Sequence, residues 1–367
     1  MHRQPAIPLV SLRMSLLADD PPGLAGAGHL LQHLHYPRLE SEAQAVGAHV
    51  RIDRTADAVV YTITGPAAEI RYLATILRST LQPPQAGEGA RLTAQRDVAE
   101  ERLAEWETAD RHLRSALRTR LFPGDISGAG TDGSDARLAR QPLDEVWARM
   151  YRPERLSILA VGDVDLEQVR REFADLPEAI AVTGSGAMAD TATLVPLAPA
   201  EATRGWFGVG FDASELPPPA VSIAARLLGD ALADRLPGSE AMGEHWWTHH
   251  GQALVLIAAV PPTLVASTPE VLRALPSSIL AQLSDEAVAA AARAIRHDML
   301  FYSRTPDRMA EVLGHFIDRG GDAASAQAFY ADLDRVRADD VREVMRSLLA
   351  GTAIRVEIPP QKLLVNP

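Results

Sequence analysis

The 367-residue chain contains no cysteine. That removes disulfides, thiolate nucleophiles and cysteine-held zinc, so any zinc must rest on histidine and carboxylate. Long apolar runs are also missing: no uninterrupted stretch reaches the roughly 20 residues that span a bilayer. The stretch MHRQPAIPLVSLRMSLLADD is broken by Arg13 and lacks a small-residue cleavage site. It is expected to be a first strand rather than a secretion signal, and the chain to be cytoplasmic. Positive charge is in deficit, with 36 Lys and Arg against 48 Asp and Glu, a net charge of -12. Such a chain is repelled by phosphate backbones and anionic lipid, which argues against nucleic acid and membrane partners. What is present, 47% apolar and 23% charged residues, is the balance of a globular protein with room for two ordinary domains.

The segment Leu176 to Arg204 is rich in Ala, Gly, Ser, Thr and Pro and has neither helical nor strand periodicity. It divides the chain into a domain at 1–180, a linker at 181–204 and a second domain at 205–367. Each half follows one plan. The first reads as a strand near Val10–Leu17, a helix from about His29, a strand at Val59–Thr64 and a helix at Ala68–Leu81. One long helix from about Arg91 to Leu121 follows, with Leu103, Trp106, Leu113, Leu117 and Leu121 at helical spacing on a buried face. Its arginines at 111–120 are expected on the solvated side. RLSILAV (155–161) is a buried strand. The second half reads as strands at Gly205–Phe211, Ala253–Val260 and Ala353–Ile358. Its helices fall at Ala220–Leu236, Pro269–Leu280, Asp285–Ser303, Pro306–Asp318 and Asp339–Leu349, with Ser284, Thr305 and Asp339 as N-caps. The pattern predicts α+β architecture: two homologous domains, each a mostly antiparallel sheet with helices packed on one face.

Residues 28–34 read GHLLQHL. His29 and His33 are four apart, so on a helix they share a face and can chelate one metal; equally, they can pack or hydrogen-bond without one. The pair, with Gln32 between, resembles the inverted zinc motif H-x-x-E-H of the insulinase/pitrilysin peptidases, glutamate being replaced by glutamine. Further matches are the Gly-rich turn at Gly26–Gly28, Gly47-Ala48 followed by Asp53-Arg54-Thr55 and Tyr61, and Tyr151-Arg152-Pro153 leading into LSILAVGDVD. Leu227-Leu228-Gly229 and Arg337-Ala338-Asp339-Asp340-Val341 continue them in the second half, so the resemblance covers nearly the whole chain.

The resemblance implies a third zinc ligand on the long helix, best matched by Glu101, with Glu100 and Glu105 nearby. A supporting Glu expected two turns upstream is Ala94, and the Arg and Tyr that orient substrate in the second domain are absent. Ala241 stands near the Arg position, and Trp246, Trp247 or Thr248 near the Tyr. The motif glutamate takes a proton from zinc-bound water; Gln32 has no ionisable group, and losing a general base costs about 10²–10⁴-fold in rate. The chain is therefore not expected to cut peptides alone. His245, Trp246 and Trp247 are candidates for a peptide-gripping wall, or else part of a packed loop.

Three functions follow as expectations. The first is a catalytically impaired subunit that pairs with an active homologous zinc peptidase, or with itself, to process peptides. The second is a zinc peptidase subunit in which Gln32 is an engineered replacement for glutamate. The third is a non-enzymatic scaffold or peptide-binding protein.

Overall fold

The computed structural model describes residues 2–3, 8–17, 20–21, 23–55, 57–122, 137–176 and 202–360. Of the linker expected at 181–204, residues 181–201 lie outside the described residues. In chain order the elements of the first half are β1 (His2–Arg3), β2 (Leu9–Leu16), α1 (Ala27–Gln44), β3 (His49–Arg54), β4 (Val59–Pro66), α2 (Ile70–Arg78), α3 (Glu88–Glu107), α4 (Ala109–Leu121), α5 (Leu143–Met150), β5 (Leu156–Gly162) and α6 (Leu166–Glu172). The second half supplies β6 (Gly205–Asp212), α7 (Pro218–Arg235), β7 (Glu240–Thr248), β8 (Gly251–Val260), α8 (Thr268–Gln282), α9 (Asp285–Tyr302), α10 (Pro306–Ile317), α11 (Ala323–Leu333), α12 (Ala338–Ala350) and β9 (Ile354–Ile358). No described helix is long and apolar enough to cross a membrane.

Two compact units result. The first takes its described residues from Met1–Arg102, Ile126–Ala192 and Met299–Ala326, the second from Leu103–Asp125, Thr193–Asp298 and Gln327–Pro367. In the first unit the sheet order is β1-β5-β2-β4-β3, with only β1 and β5 parallel. Leu12, Met14, Tyr61 and Ile63 of this sheet bury one face with Leu31 and Leu39 of α1 and with Leu73, Ile76 and Leu77 of α2. In the second unit the order is β7-β8-β6-β9, the same succession of corresponding strands without a counterpart of β1. Its core joins Leu254, Leu256 and Ala258 of β8 to α7, α8 and α12.

The main helical layer lies on one face of each sheet, and among the described residues one further helix covers the other face. In the first unit this is α10, whose Ala310, Met309, Leu313 and Ile317 pack on Leu159 and Val161. In the second it is α4, and β6 carries two glycines to admit it. A Cβ on Gly208 would lie 2.6 Å from Leu117 Cδ1, and one on Gly210 2.6 Å from Leu121 Cδ1. Because both faces are covered, β2 and β8 are buried almost end to end; β8 reads as an apolar run, whereas β2 alternates apolar residues with the buried Ser11, Arg13 and Ser15.

The helix expected over 91–121 is two helices. Thr108 leaves helical geometry and its hydroxyl accepts from Arg111 N, capping α4. Of the expected buried face, Leu113 and Leu117 in α4 are fully buried and Leu103 in α3 is 55% exposed, while the Trp106 side chain lies outside the described residues. Ser284 Oγ accepts from Ala287 N at 3.2 Å, as expected of a cap. Thr305 occupies its cap position without a side-chain bond. Asp339 lies inside its helix; Arg337 is the cap residue, and Asp340 accepts from its main-chain N–H. The helix α11 and the strands β3 and β7 were not legible as separate elements.

Candidate metal centre

The helix α1 starts from Gly26, whose φ of 89° is left-handed and open to glycine. His29 in the first turn and His33 one turn on face each other with their Nε2 atoms 3.1 Å apart. Glu101 of α3 reaches both, Oε2 lying 2.9 Å from His29 Nε2 and Oε1 3.4 Å from His33 Nε2. The imidazoles are 14% and 13% exposed and the carboxylate 57%, so the cluster is a half-buried site with an open side. Among the described residues this is the one group of three or more such side chains that could hold a metal ion, its donor atoms all within 4.8 Å of one another. Neighbouring Glu100 is instead paired with Arg96 on the same helix.

The donor set fits zinc. Zinc–ligand bonds of about 2.0–2.2 Å at tetrahedral angles put donors roughly 3.3 Å apart, close to the spacings found. Two Nε2 atoms at hydrogen-bond distance leave room for one proton at most between them. Burial first, and then the His33 imidazole, depress His29 to about 4, so it is neutral near pH 7, the form that binds metal. The same three side chains also satisfy one another by hydrogen bonds without an ion.

Gln32 takes no part in this cluster. It is 1% exposed, and its Nε2 donates to the main-chain carbonyls of Asp53 at 2.8 Å and Val60 at 3.1 Å. These two residues are register partners on β3 and β4, so the carboxamide ties α1 to the sheet beneath it. Only an NH₂ group can face two carbonyl oxygens; a carboxylate there would meet both with like polarity. Ala94, where the resemblance leads one to expect a supporting glutamate, is 4% exposed and packs into the apolar core.

His245, Trp246 and Trp247 lie on the strand β7, not in a loop, and alternation splits them between two faces. His245 and Trp247 stack, centroids 5.6 Å apart, and Trp247 meets Phe329. On the other face Trp246 donates to Glu244 at 2.7 Å, and Glu244 is held by both terminal nitrogens of Arg114. His245 sits between Ser222 Oγ and Gln252 Oε1, each 2.7 Å away. Gln252 Nε2 donates to Leu216 O, which turns Oε1 toward His245 and places the imidazole proton on Nε2. Every polar atom named in this cluster thus has a partner.

Several polar residues around α1 had no individual role in the sequence reading. Tyr61 and Tyr151 hydroxyls are 2.5 Å apart in the core, beside His35, which burial depresses to about 4. Asp20 and Arg54 form a buried pair at 3.2 Å under the start of α1. Tyr61, Tyr151 and Arg54 stand within the motif matches, but nothing in their spacing signals that they meet.

No family model matches the chain. Over 159 residues it is 24% identical to cytochrome b-c1 complex subunit 1, mitochondrial, of Mus musculus, a match covering 39% of this chain and 32% of that protein. The chain thus matches about a third of the length of its curated relatives. Among solved structures it superposes on a peptidase M16 inactive domain from Pseudomonas fluorescens with TM-score 0.77 and 12% identity, covering 98% of this chain and 95% of that one. A chain of complex III2 from Candida albicans gives TM-score 0.78 and 12% identity, covering 97% and 92%. At such identities the likeness shows the fold, which is that of the two-domain M16-like peptidases.

Proposed function

We propose that this chain is a peptidase-like subunit without hydrolytic activity of its own, that it works in an assembly with a homologous chain on peptides, and that His29, His33 and Glu101 hold a zinc ion in it. The orientation of Gln32 carries this reading. Its carboxamide is engaged under the helix with Asp53 O and Val60 O, so the side chain at the position of the motif's base does not face the three donors. Zinc bound there would polarise a coordinated water or carbonyl. Without a glutamate at that position to accept a proton, His29, His33 and Glu101 would bind and orient but not complete a hydrolysis. A neighbour named an inactive peptidase M16 domain supports the missing activity, and relatives named as parts of the cytochrome b-c1 complex and complex III2 support an assembly.

A metal-free scaffold is the second reading. It is favoured by the mutual hydrogen bonds that already satisfy the cluster and by the subunit of the cytochrome b-c1 complex among the relatives.

The test is the metal content of the purified chain beside His29→Ala and Glu101→Ala, with each protein incubated with a mixed peptide library. The proposal expects about one zinc per wild-type chain, loss of it in both variants, and no cleavage by any of them. Zinc-dependent cleavage by the wild-type chain alone would overturn it, and absence of zinc from all three would leave the scaffold.

A further inference from the structure

The first turn of α1 has an unusual support. Its cap residue, Gly26, has no side chain to satisfy the free N–H groups at a helix start. Asp20, six residues upstream, does so instead: Oδ2 accepts from Gly26 N at 2.7 Å and Oδ1 from Gly28 N at 2.8 Å. The Ala27 N–H goes to Leu24 O at 3.0 Å, so the turn is closed on all three. The Asp20 side chain is fully buried, and Arg54 at the end of β3 balances its charge, Nη2 standing 3.2 Å from Oδ1. Arg54 in turn lies against Gly28, where a Cβ would come within 2.1 Å of Nη1 and 2.9 Å of Val59 Cγ2. Glycine at 28 is what lets the guanidinium reach Asp20.

His29 is the next residue. Its imidazole must hold its position to within a few tenths of an ångström to meet both His33 and Glu101, yet it belongs to the first turn, where helices fray. His33 sits one turn deeper and has the helix ladder on both sides. The donor that most needs outside support is therefore the one beside the anchor.

We infer that Asp20 and Arg54 are positioning residues for the metal centre: they hold the first turn of α1 so that His29 presents Nε2 to the ion. This rests on the reading of His29, His33 and Glu101 as a metal site. Removing such outer support lowers metal affinity by about 10–100-fold while leaving the ligands in place.

The experiment uses the full chain with Asp20→Ala, Asp20→Asn, Arg54→Met and, as a control of comparable thermal destabilisation, Leu77→Ala in α2. Zinc Kd is measured by competition with a chromophoric chelator, and backbone amide exchange is followed in the metal-free proteins. Asp20→Ala and Arg54→Met are expected to raise the zinc Kd about 10–100-fold. Asp20→Asn, which keeps one acceptor, should raise it less, and Leu77→Ala should leave it within twofold. Exchange should accelerate at 26–30 in the anchor variants and not along the rest of α1. A Kd unchanged in Asp20→Ala, or raised equally in Leu77→Ala, overturns the inference. If the wild-type chain takes up no zinc, the metal reading itself fails. The exchange data then decide the anchor separately, since loss of protection spread over the whole unit, or none, overturns it too.

Discussion

Arg13 and Asp318, 305 positions apart in sequence, form a two-pronged ion pair inside the first unit, Nη1 to Oδ1 at 3.0 Å and Nη2 to Oδ2 at 2.6 Å. Both side chains are 5% exposed or less, and Arg13 also donates to Ser15 Oγ. The arginine that breaks the first apolar run is thus the point where α10 is fastened to β2. Gly314 of α10 makes room for it, since a Cβ there would lie 2.4 Å from the guanidinium carbon. Removing one partner of a buried pair strands the other charge, which costs about 3–5 kcal/mol. Asp318→Ala should lose stability of that order in chemical denaturation, and the double change Arg13→Met with Asp318→Leu should recover much of it. A double variant as unstable as the single one would contradict this account.

Replacing Gln32 by glutamate should not create a peptidase. A carboxylate facing Asp53 O and Val60 O forfeits two hydrogen bonds and adds repulsion, about 2–4 kcal/mol at pH 7. Such a group has its pKa raised in the folded state, because only its protonated form can donate to a carbonyl. The variant's deficit relative to wild type should therefore grow as pH rises from about 4 to 7. Urea denaturation of both proteins at the two ends of that range checks the sign. A deficit independent of pH, or peptide cleavage by the Gln32→Glu variant, would show that the introduced carboxylate turns toward the His29–His33–Glu101 cluster instead.

His35 predicts an acid-labile fold. Burial holds it at about 4, below the ordinary histidine value of 6.5, so the unfolded chain binds this proton first as pH falls. Stability should be lost between pH 6.5 and 4 and the loss should level off below that, about 3 kcal/mol in all at 1.36 kcal/mol per pKa unit. His35→Leu removes this component, so its melting temperature should fall less steeply than wild type across that interval. An unchanged slope would assign the acid sensitivity to other groups.

Gly229 and Gly243 bring α7 and β7 into backbone contact. A Cβ on Gly229 would lie 2.3 Å from Gly243 N, and one on Gly243 would lie 2.0 Å from Ala225 O. Neither obstacle is a side chain that can swing aside. Alanine at either position should cost more than the roughly 1–3 kcal/mol of ordinary overpacking. Gly89 in α3 has nothing within 4 Å of its missing Cβ, so Gly89→Ala should be neutral or stabilising by about 0.5–1 kcal/mol. Thermal shift of the three variants gives the ranking, and equal effects would refute it.

The sequence by itself determined the periodicities and the residue types. Apolar runs such as RLSILAV mark strands because both sheet faces are covered, and four-residue spacing puts His29 and His33 on one helix face because a turn takes 3.6 residues. The duplicated α+β plan was legible on the same grounds, and Glu101, which the structure brings beside the two histidines, was singled out by the motif resemblance alone. Tertiary structure alone decided the rest. The strand character of His245, Trp246 and Trp247, and the pairing of Arg13 with Asp318 and Asp20 with Arg54 depend on contacts between separated segments, which leave no period in the sequence; the break at Thr108 is local, a cap bond to Arg111 N inside an otherwise helical pattern. The largest such decision concerns Gln32. Its chemistry was evident from one letter, but whether its carboxamide faced the His29–His33–Glu101 cluster or the sheet was set by two carbonyl oxygens on β3 and β4, which only the packed chain brings beneath it.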